Sequence, residues 1–205
     1  MKETDVPAYN RVALSANVSI YAFYATRILE RTGISMGKCL DVGCGGGYLG
    51  LALSRLSNFD FVFLDQSPAM LRCAETNIRA EGLAARSRIV QGRVQAIPLD
   101  DASVNLVVSR GSVPFWDDLP AAFREIHRVL APLGRAYVGG GLGPPELRDA
   151  LREQARREDP GWQGREHAIP RRDTAEYREA LNAAGIANFT VTRSDEGTWI
   201  EFGKG

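Results

Sequence analysis

Asp41, Gly43, Gly45, Gly47, Gly50 and Asp65 are the residues of this chain whose types and spacing could do chemistry together. The first five lie in Cys39-Leu40-Asp41-Val42-Gly43-Cys44-Gly45-Gly46-Gly47-Tyr48-Leu49-Gly50, which reads as a short apolar strand, a glycine turn and the start of a helix. Such a turn lets backbone approach a ligand closely, and the helix start offers unpaired N–H groups and positive potential. The expected chemistry is binding of a nucleotide cofactor, in one of two registers. Gly45, Gly47 and Gly50 satisfy G-x-G-x-x-G, the dinucleotide pattern, with Asp65 twenty residues after Gly45. Asp41, Gly43, Gly45 and Gly47 satisfy D-x-G-x-G-x-G instead. In the dinucleotide register Asp41 has no task, and a carboxylate there helps to repel a pyrophosphate; an ammonium or sulfonium would be drawn to it. Asp65 can accept from both hydroxyls of a ribose in either register, so it supports a ribose without choosing the cofactor.

The elements that must hold these residues follow from periodicity and punctuation. Residues 8–32 carry apolar side chains at helical spacing and stop at Gly33, so this segment either packs on the sheet or forms a lid through Tyr9, Tyr21 or Tyr24. A helix over 48–56 precedes the second strand, 59–64, whose end carries Asp65; Ser67-Pro68 then caps a helix to about 81, with Met70 in its first turn. Strands are expected at 88–91 and 103–109. Beyond the latter, the loop 110–118 lies at the edge where open α/β sheets bind ligands, which makes Arg110, Phe115 and Trp116 candidates for an acceptor pocket. Ring faces of Phe115 and Trp116 can border a sulfonium. Asp117 is a weak candidate base, although it or Asp118 also suits the cap of the helix that follows. His127 on that helix reads as structural. A strand at 136–138, a charged helix at 146–157, an irregular connection at 159–172 and a helix over 173–184 come next, and strands 188–193 and 198–202 flank Asp195-Glu196-Gly197 as a hairpin. Five strands with helical crossovers and a closing hairpin make a doubly wound α/β sheet, mainly parallel.

This order, with D-x-G-x-G-x-G, the acid at Asp65, the segment from Gln95 to Asp101 and the turn Arg128-Val129-Leu130-Ala131-Pro132-Leu133-Gly134, resembles the class I S-adenosylmethionine-dependent methyltransferases. The resemblance implies a seven-stranded Rossmann-like sheet with a C-terminal antiparallel hairpin and an N-terminal helical lid. It implies S-adenosyl-L-methionine as cofactor and S-adenosyl-L-homocysteine as product. Asp41, Gly43, Cys44, Gly45 and Gly47 would hold the methionine portion, Asp65 the ribose, Gln66 and Met70 its surroundings, and Val94 and Gln95 the adenine. Ser109 would lie beneath the methyl and Tyr24 over it, with Tyr9, Arg110, Phe115 and Trp116 around the acceptor. Two positions depart from the family pattern: Arg93 stands where an acid contacts adenine, and Leu133 where a glycine is usual.

Composition narrows the partners. Lysine plus arginine and aspartate plus glutamate number 25 each, so no overall field argues for bulk nucleic acid, and a small-molecule acceptor is expected. Three cysteines without C-x-x-C spacing suit a reducing compartment and give no metal site. No apolar run of about 18 residues is present and the start lacks a signal-peptide pattern, which implies a cytoplasmic protein without a membrane anchor. One domain over 1–205 is expected, with 1–36 as lid and 37–205 as core; oligomeric state and acceptor are open. Two alternatives stand beside the methyltransferase reading. One is a protein that binds this cofactor without methyl transfer or for other chemistry, and the other an NAD-dependent oxidoreductase, against which the chain lacks Tyr-x-x-x-Lys.

Overall fold

The structure is a computed structural model that describes residues 5–15, 17–158 and 172–205. Seven strands form one sheet in the order β3-β2-β1-β4-β5-β7-β6. β1 (Met36–Val42) pairs in parallel with β2 (Asn58–Asp65) and β4 (Val104–Arg110); β2 pairs with β3 (Ser87–Gln91) and β4 with β5 (Leu130–Gly140), all parallel. β7 (Gly197–Gly203) inserts antiparallel between β5 and β6 (Phe189–Ser194), so the hairpin closes the sheet as expected. Both faces of the sheet are buried, which is why the central strands read as unbroken apolar runs rather than as alternation.

One face carries Cys39, Phe61, Phe63, Leu106, Val108, Tyr137 and Trp199, packed against α2 (Val18–Thr32), α3 (Tyr48–Ser54) and α4 (Pro68–Ala80). The other carries Leu40, Val62, Val107 and Ile200, packed against α5 (Leu119–Val129) and α7 (Thr174–Ala183). A charged helix, α6 (Pro145–Glu158), follows β5. Local chemistry sets the helix starts. The Ser67 hydroxyl accepts the Met70 N–H ahead of Pro68, the Asp118 carboxylate accepts the Ala121 N–H, and Asp173 and Glu176 form a reciprocal capping box.

The structure sharpens two expectations. The N-terminal segment is helical as expected and divides in two: between α1 (Val6–Leu14) and α2 the Ser15 hydroxyl bonds back to the Arg11 carbonyl and the Asn17 N–H bonds to the Val12 carbonyl. Ser and Asn side chains offer the backbone alternatives to a continued helix, and the apolar Val12, Leu14 and Val18 are left exposed at this elbow. The fifth strand is longer than the apolar core at 136–138, because β5 pairs with β4 at Leu130 and, after a register shift across the turn at 131–134, again from Arg135 to Gly139. The expected connection at 159–172, with Trp162, Arg165, Glu166 and His167, lies outside the described residues except for Arg172. Among the described residues no single helix is long and apolar enough to cross a membrane.

Candidate functional site

The glycine turn sits where the C-terminal ends of β1, β2 and β4 meet. Its backbone passes through positive φ at Gly43, Gly45 and Gly47, values that side chains other than glycine rarely adopt. The Cys44 N–H donates to the Leu64 carbonyl at 3.0 Å, tying the turn to β2. Asp65 then reads the turn directly. Its Oδ2 accepts the Gly45 N–H and its Oδ1 the Ser67 N–H, both at 2.9 Å, so the carboxylate is oriented at the strand end before any ligand arrives.

Asp41 is 1% exposed, and its Oδ2 accepts the Gly50 N–H at 3.1 Å. Burial pushes its carboxyl up to about 7, against the opposing effect of the Gly50 bond and with a further rise from the negative charge of Asp65. A buried carboxylate with a single backbone donor is complementary to a cation and hostile to a phosphate. This donor set fits the ammonium of an amino-acid-bearing cofactor and does not fit a dinucleotide pyrophosphate. Gly50 is explained without a pyrophosphate: a Cβ there would stand 2.3 Å from the Phe63 ring and 3.4 Å from Asp41 Oδ2.

Asp41, Gly43, Cys44, Gly45, Tyr48, Leu49, Tyr9, Tyr21 and Arg110 line a cavity of about 30 Å³. That is room for about one water molecule, far short of a nucleoside. The roof is aromatic: the Tyr48 ring lies 5.4 Å from Tyr21 and 6.0 Å from Tyr9. α1 is held on this roof by Asn10, whose Oδ1 accepts from the Tyr48 hydroxyl and from Asn77 Nδ2, both at 2.9 Å; Asn77 Nδ2 also donates to the Gly46 carbonyl. Met70 is buried with Val6 and Ala69, so α1 also covers the helix face expected to lie beside the ribose. Nothing in the sequence pattern singled out Asn10, Tyr48 or Asn77, since their meeting is purely tertiary.

The other expected site residues divide. Gln95 is half-buried and Gln66 exposed at the ends of β3 and β2, while Val94 is buried in the core. The segment bearing Gln95 is clamped from α5, where Glu125 accepts the Ile97 N–H at 2.8 Å and Arg128 donates to the Ile97 and Leu99 carbonyls. Ser109 is fully buried, and its hydroxyl meets that of Ser112 at 2.6 Å; Ser112 donates in turn to the Val42 carbonyl at 3.2 Å. Phe115 is exposed at the rim.

Three assignments are corrected by position. Trp116 is 5% exposed, its indole N–H donates to the Ser112 hydroxyl and its ring meets Phe123 edge-on, so it supports the loop from beneath instead of presenting a face to an acceptor. Asp117 is on the surface, paired with Arg93, and lines an open groove beside Asp118 and Arg172 rather than the cavity. Tyr24 is fully buried; its hydroxyl donates to the Glu196 carbonyl at 2.5 Å and accepts the Gly143 N–H at 3.0 Å, which uses it to fasten α2 to the hairpin. Burial also pushes the Cys44 thiol well up, helped by the charges of Asp41 and Asp65, so Cys44 fills the turn as an inert thiol.

The chain is similar to known methyltransferases in sequence and in fold. A family model described as a methyltransferase domain matches residues 40–138. A malonyl-[acyl-carrier protein] O-methyltransferase of Geobacter sulfurreducens is 31% identical over 200 residues, covering 92% of this chain and 72% of the relative. The corresponding protein of Dechloromonas aromatica is 32% identical over 158 residues, 77% of this chain and 54% of the relative, so the chain spans about half the length of that protein. Among solved structures, a Methanococcus maripaludis protein assigned to the S-adenosyl-L-methionine-dependent methyltransferases superposes with a TM-score of 0.89 at 37% identity, covering 99% of this chain and 93% of its own.

Proposed function

The chain belongs to the class I S-adenosylmethionine-dependent methyltransferases, and from that membership we propose that it transfers the methyl group of S-adenosyl-L-methionine to a small-molecule acceptor. The observation that carries the reading is Asp41, a buried carboxylate at a strand end beside the glycine turn, complementary to the cofactor's ammonium. When bound, the cofactor would supply an electrophilic methyl on a sulfonium, with a neutral thioether as the leaving group for an acceptor lone pair.

The chain's own residues bind, orient and exclude water. Asp41 would take the ammonium, Asp65 the ribose hydroxyls, and the segment around Gln95, held by Glu125, the adenine. Tyr9, Tyr21 and Tyr48 roof the cavity and limit it to about one water, so much of the rate acceleration comes from near-attack positioning. Among the described residues Asp41 is the one carboxylate lining the cavity, and it is committed to the cofactor. An acceptor that is deprotonated before attack needs no base from the protein. Two relatives are named for methylating an oxygen of malonyl-[acyl-carrier protein], which supports an oxygen acceptor here. The equal numbers of acidic and basic residues support a small molecule over bulk nucleic acid, and a cytoplasmic location fits the composition.

Titration calorimetry with S-adenosyl-L-methionine, S-adenosyl-L-homocysteine and NAD tests this on the wild type, Asp41→Asn and Asp65→Ala. Binding of the two sulfur compounds, weakened by both substitutions with NAD silent, is the expected result. NAD binding that needs Asp65 and ignores Asp41 would overturn it.

A further inference from the structure

Arg110 stands on the wall of the cavity. Among the described residues it makes no ion pair, and none joins it to Asp41 across the same cavity. Its guanidinium lies over the Tyr21 ring at 4.7 Å and is 5.8 Å from that of Tyr24. Nη2 donates to the Gly141 carbonyl at 2.8 Å, while Nε is shielded from solvent and has no hydrogen-bond partner. Two tyrosine rings and one carbonyl thus fix the plane of the guanidinium and leave part of its donor fork unused. A shielded donor left unmade is costly, and a planar fork held in this way matches the two oxygens of a carboxylate.

Arg110 shares the wall of this cavity with Asp41 but stands on its outer side. Asp41 pairs in register with Val108, and Arg110 lies two residues further along β4 on the same face, about 6–7 Å nearer the open edge. The elements around it, α2 and the end of β5, are not those that hold Asp65 and the adenine segment.

We infer that Arg110 anchors a carboxylate carried by the acceptor, so that the substrate of this enzyme is an acid. The inference rests on the proposed methyltransferase function and adds to it the charge of the acceptor. The carboxylate is an anchor, and the methylated atom need not be one of its oxygens. A carboxylate is also present on the cofactor's amino acid, and the experiment distinguishes the two.

The wild type is first titrated with S-adenosyl-L-homocysteine; absence of binding would overturn the methyltransferase reading itself, a failure separate from the one below. The loaded protein is then titrated with acetate, hexanoate, succinate and benzoate, and with the matched amides. At least one acid is expected to bind about tenfold or more tighter than its amide, the effect of a charge-assisted pair. Arg110→Gln removes that preference, and Arg110→Lys retains part of it. Thermal melting of both variants checks the fold. Arg110→Gln is further compared on S-adenosyl-L-homocysteine and on 5′-methylthioadenosine, which lacks the amino acid; equal small effects on the two are expected. A set in which no acid is preferred over its amide overturns the inference, as does a preference that survives in Arg110→Gln. Loss of affinity for S-adenosyl-L-homocysteine but not for 5′-methylthioadenosine also overturns it, because the anchored carboxylate is then the cofactor's.

Discussion

The Asp41 carboxylate reaches across the whole glycine turn to accept the backbone N–H of Gly50 at 3.1 Å. This bond joins the end of β1 to the first turn of α3 and leaves the carboxylate buried with one donor, which is why its pKa rises to about 7. A carboxyl raised above its unfolded value of about 3.9 contributes stability that is complete below that value and is lost as pH climbs through 7. In the unliganded protein Asp41→Asn keeps an acceptor for Gly50 and removes this loss. The variant is therefore expected to be the more stable of the two, by a margin that grows from about pH 4 and levels off above 7. Binding runs the other way. The wild type should bind S-adenosyl-L-methionine more weakly on the acid side of 7, and Asp41→Asn about tenfold or more weakly with no such pH dependence. Denaturant melts and calorimetry across pH 5–9 check both; a variant less stable at pH 8 would refute the account of Asp41.

Gly50→Ala separates the packing role of that glycine from a cofactor role. The new Cβ would lie 2.3 Å from the Phe63 ring, inside a buried core where Phe63 has no room to retreat. The expected outcome is a loss of about 2 kcal/mol or more in stability, typical of overpacking. At temperatures where the variant is folded, its affinity for S-adenosyl-L-homocysteine should follow the displacement of Asp41 and fall. Wild-type stability with reduced cofactor binding would show that Gly50 faces the ligand after all.

Asn10 is the single acceptor on which Tyr48 and Asn77 converge. Removing it in Asn10→Ala deletes two hydrogen bonds of about 1 kcal/mol each, all of them between α1 and the body of the protein. The cavity beneath holds about one water, so a cofactor enters only if this roof moves. Proteolysis between α1 and α2 should accelerate about thirtyfold, and S-adenosyl-L-homocysteine should exchange faster. Asn10→Asp retains an acceptor oxygen and should behave nearly as wild type. Equal cleavage rates in all three proteins would refute the latch.

The parts of this site that were legible in the sequence are the local ones. The strand end at Asp41, the acid at Asp65 and the cap at Ser67 each depend on a few neighbouring residues, and the structure places them as their spacing implied. Aromatic residues at the right sheet edge were less informative, because an exposed ring face and a buried strut have the same sequence signature. Trp116 and Tyr24 illustrate this: their polar atoms are taken by Ser112 and by Glu196, the latter 172 residues distant in the chain. The clamp on the Gln95 segment was hidden for the same reason, since Arg128 reads there as part of a turn signature and not as a donor to carbonyls at 97 and 99.

Leu133 shows how a departure from a family pattern becomes a measurable strain. It stands where the resembling sequences carry glycine, and the backbone has kept the glycine conformation: φ is +63°, with the side chain 79% exposed. The conformation is imposed from outside, because the Leu133 N–H donates to the Lys204 carbonyl and the Lys204 N–H to the Gly134 carbonyl, locking the turn to the chain after β7. A left-handed residue other than glycine costs about 1–2 kcal/mol, and a leucine left in solvent gains little from burial to offset it. Leu133→Gly relieves the strain but gives the unfolded chain more freedom, worth about 0.5–1 kcal/mol against it. The net expectation is a gain of about 0.5–1 kcal/mol, or roughly 2 °C in Tm for a chain of this size. Leu133→Asn, which tolerates the left-handed region better than leucine, should fall between the two. The turn lies at the opposite end of β5 from the cavity, so cofactor affinity should not change. A melting temperature lowered by the glycine would mean that Leu133 stabilises the protein through its side chain, against the exposure seen here.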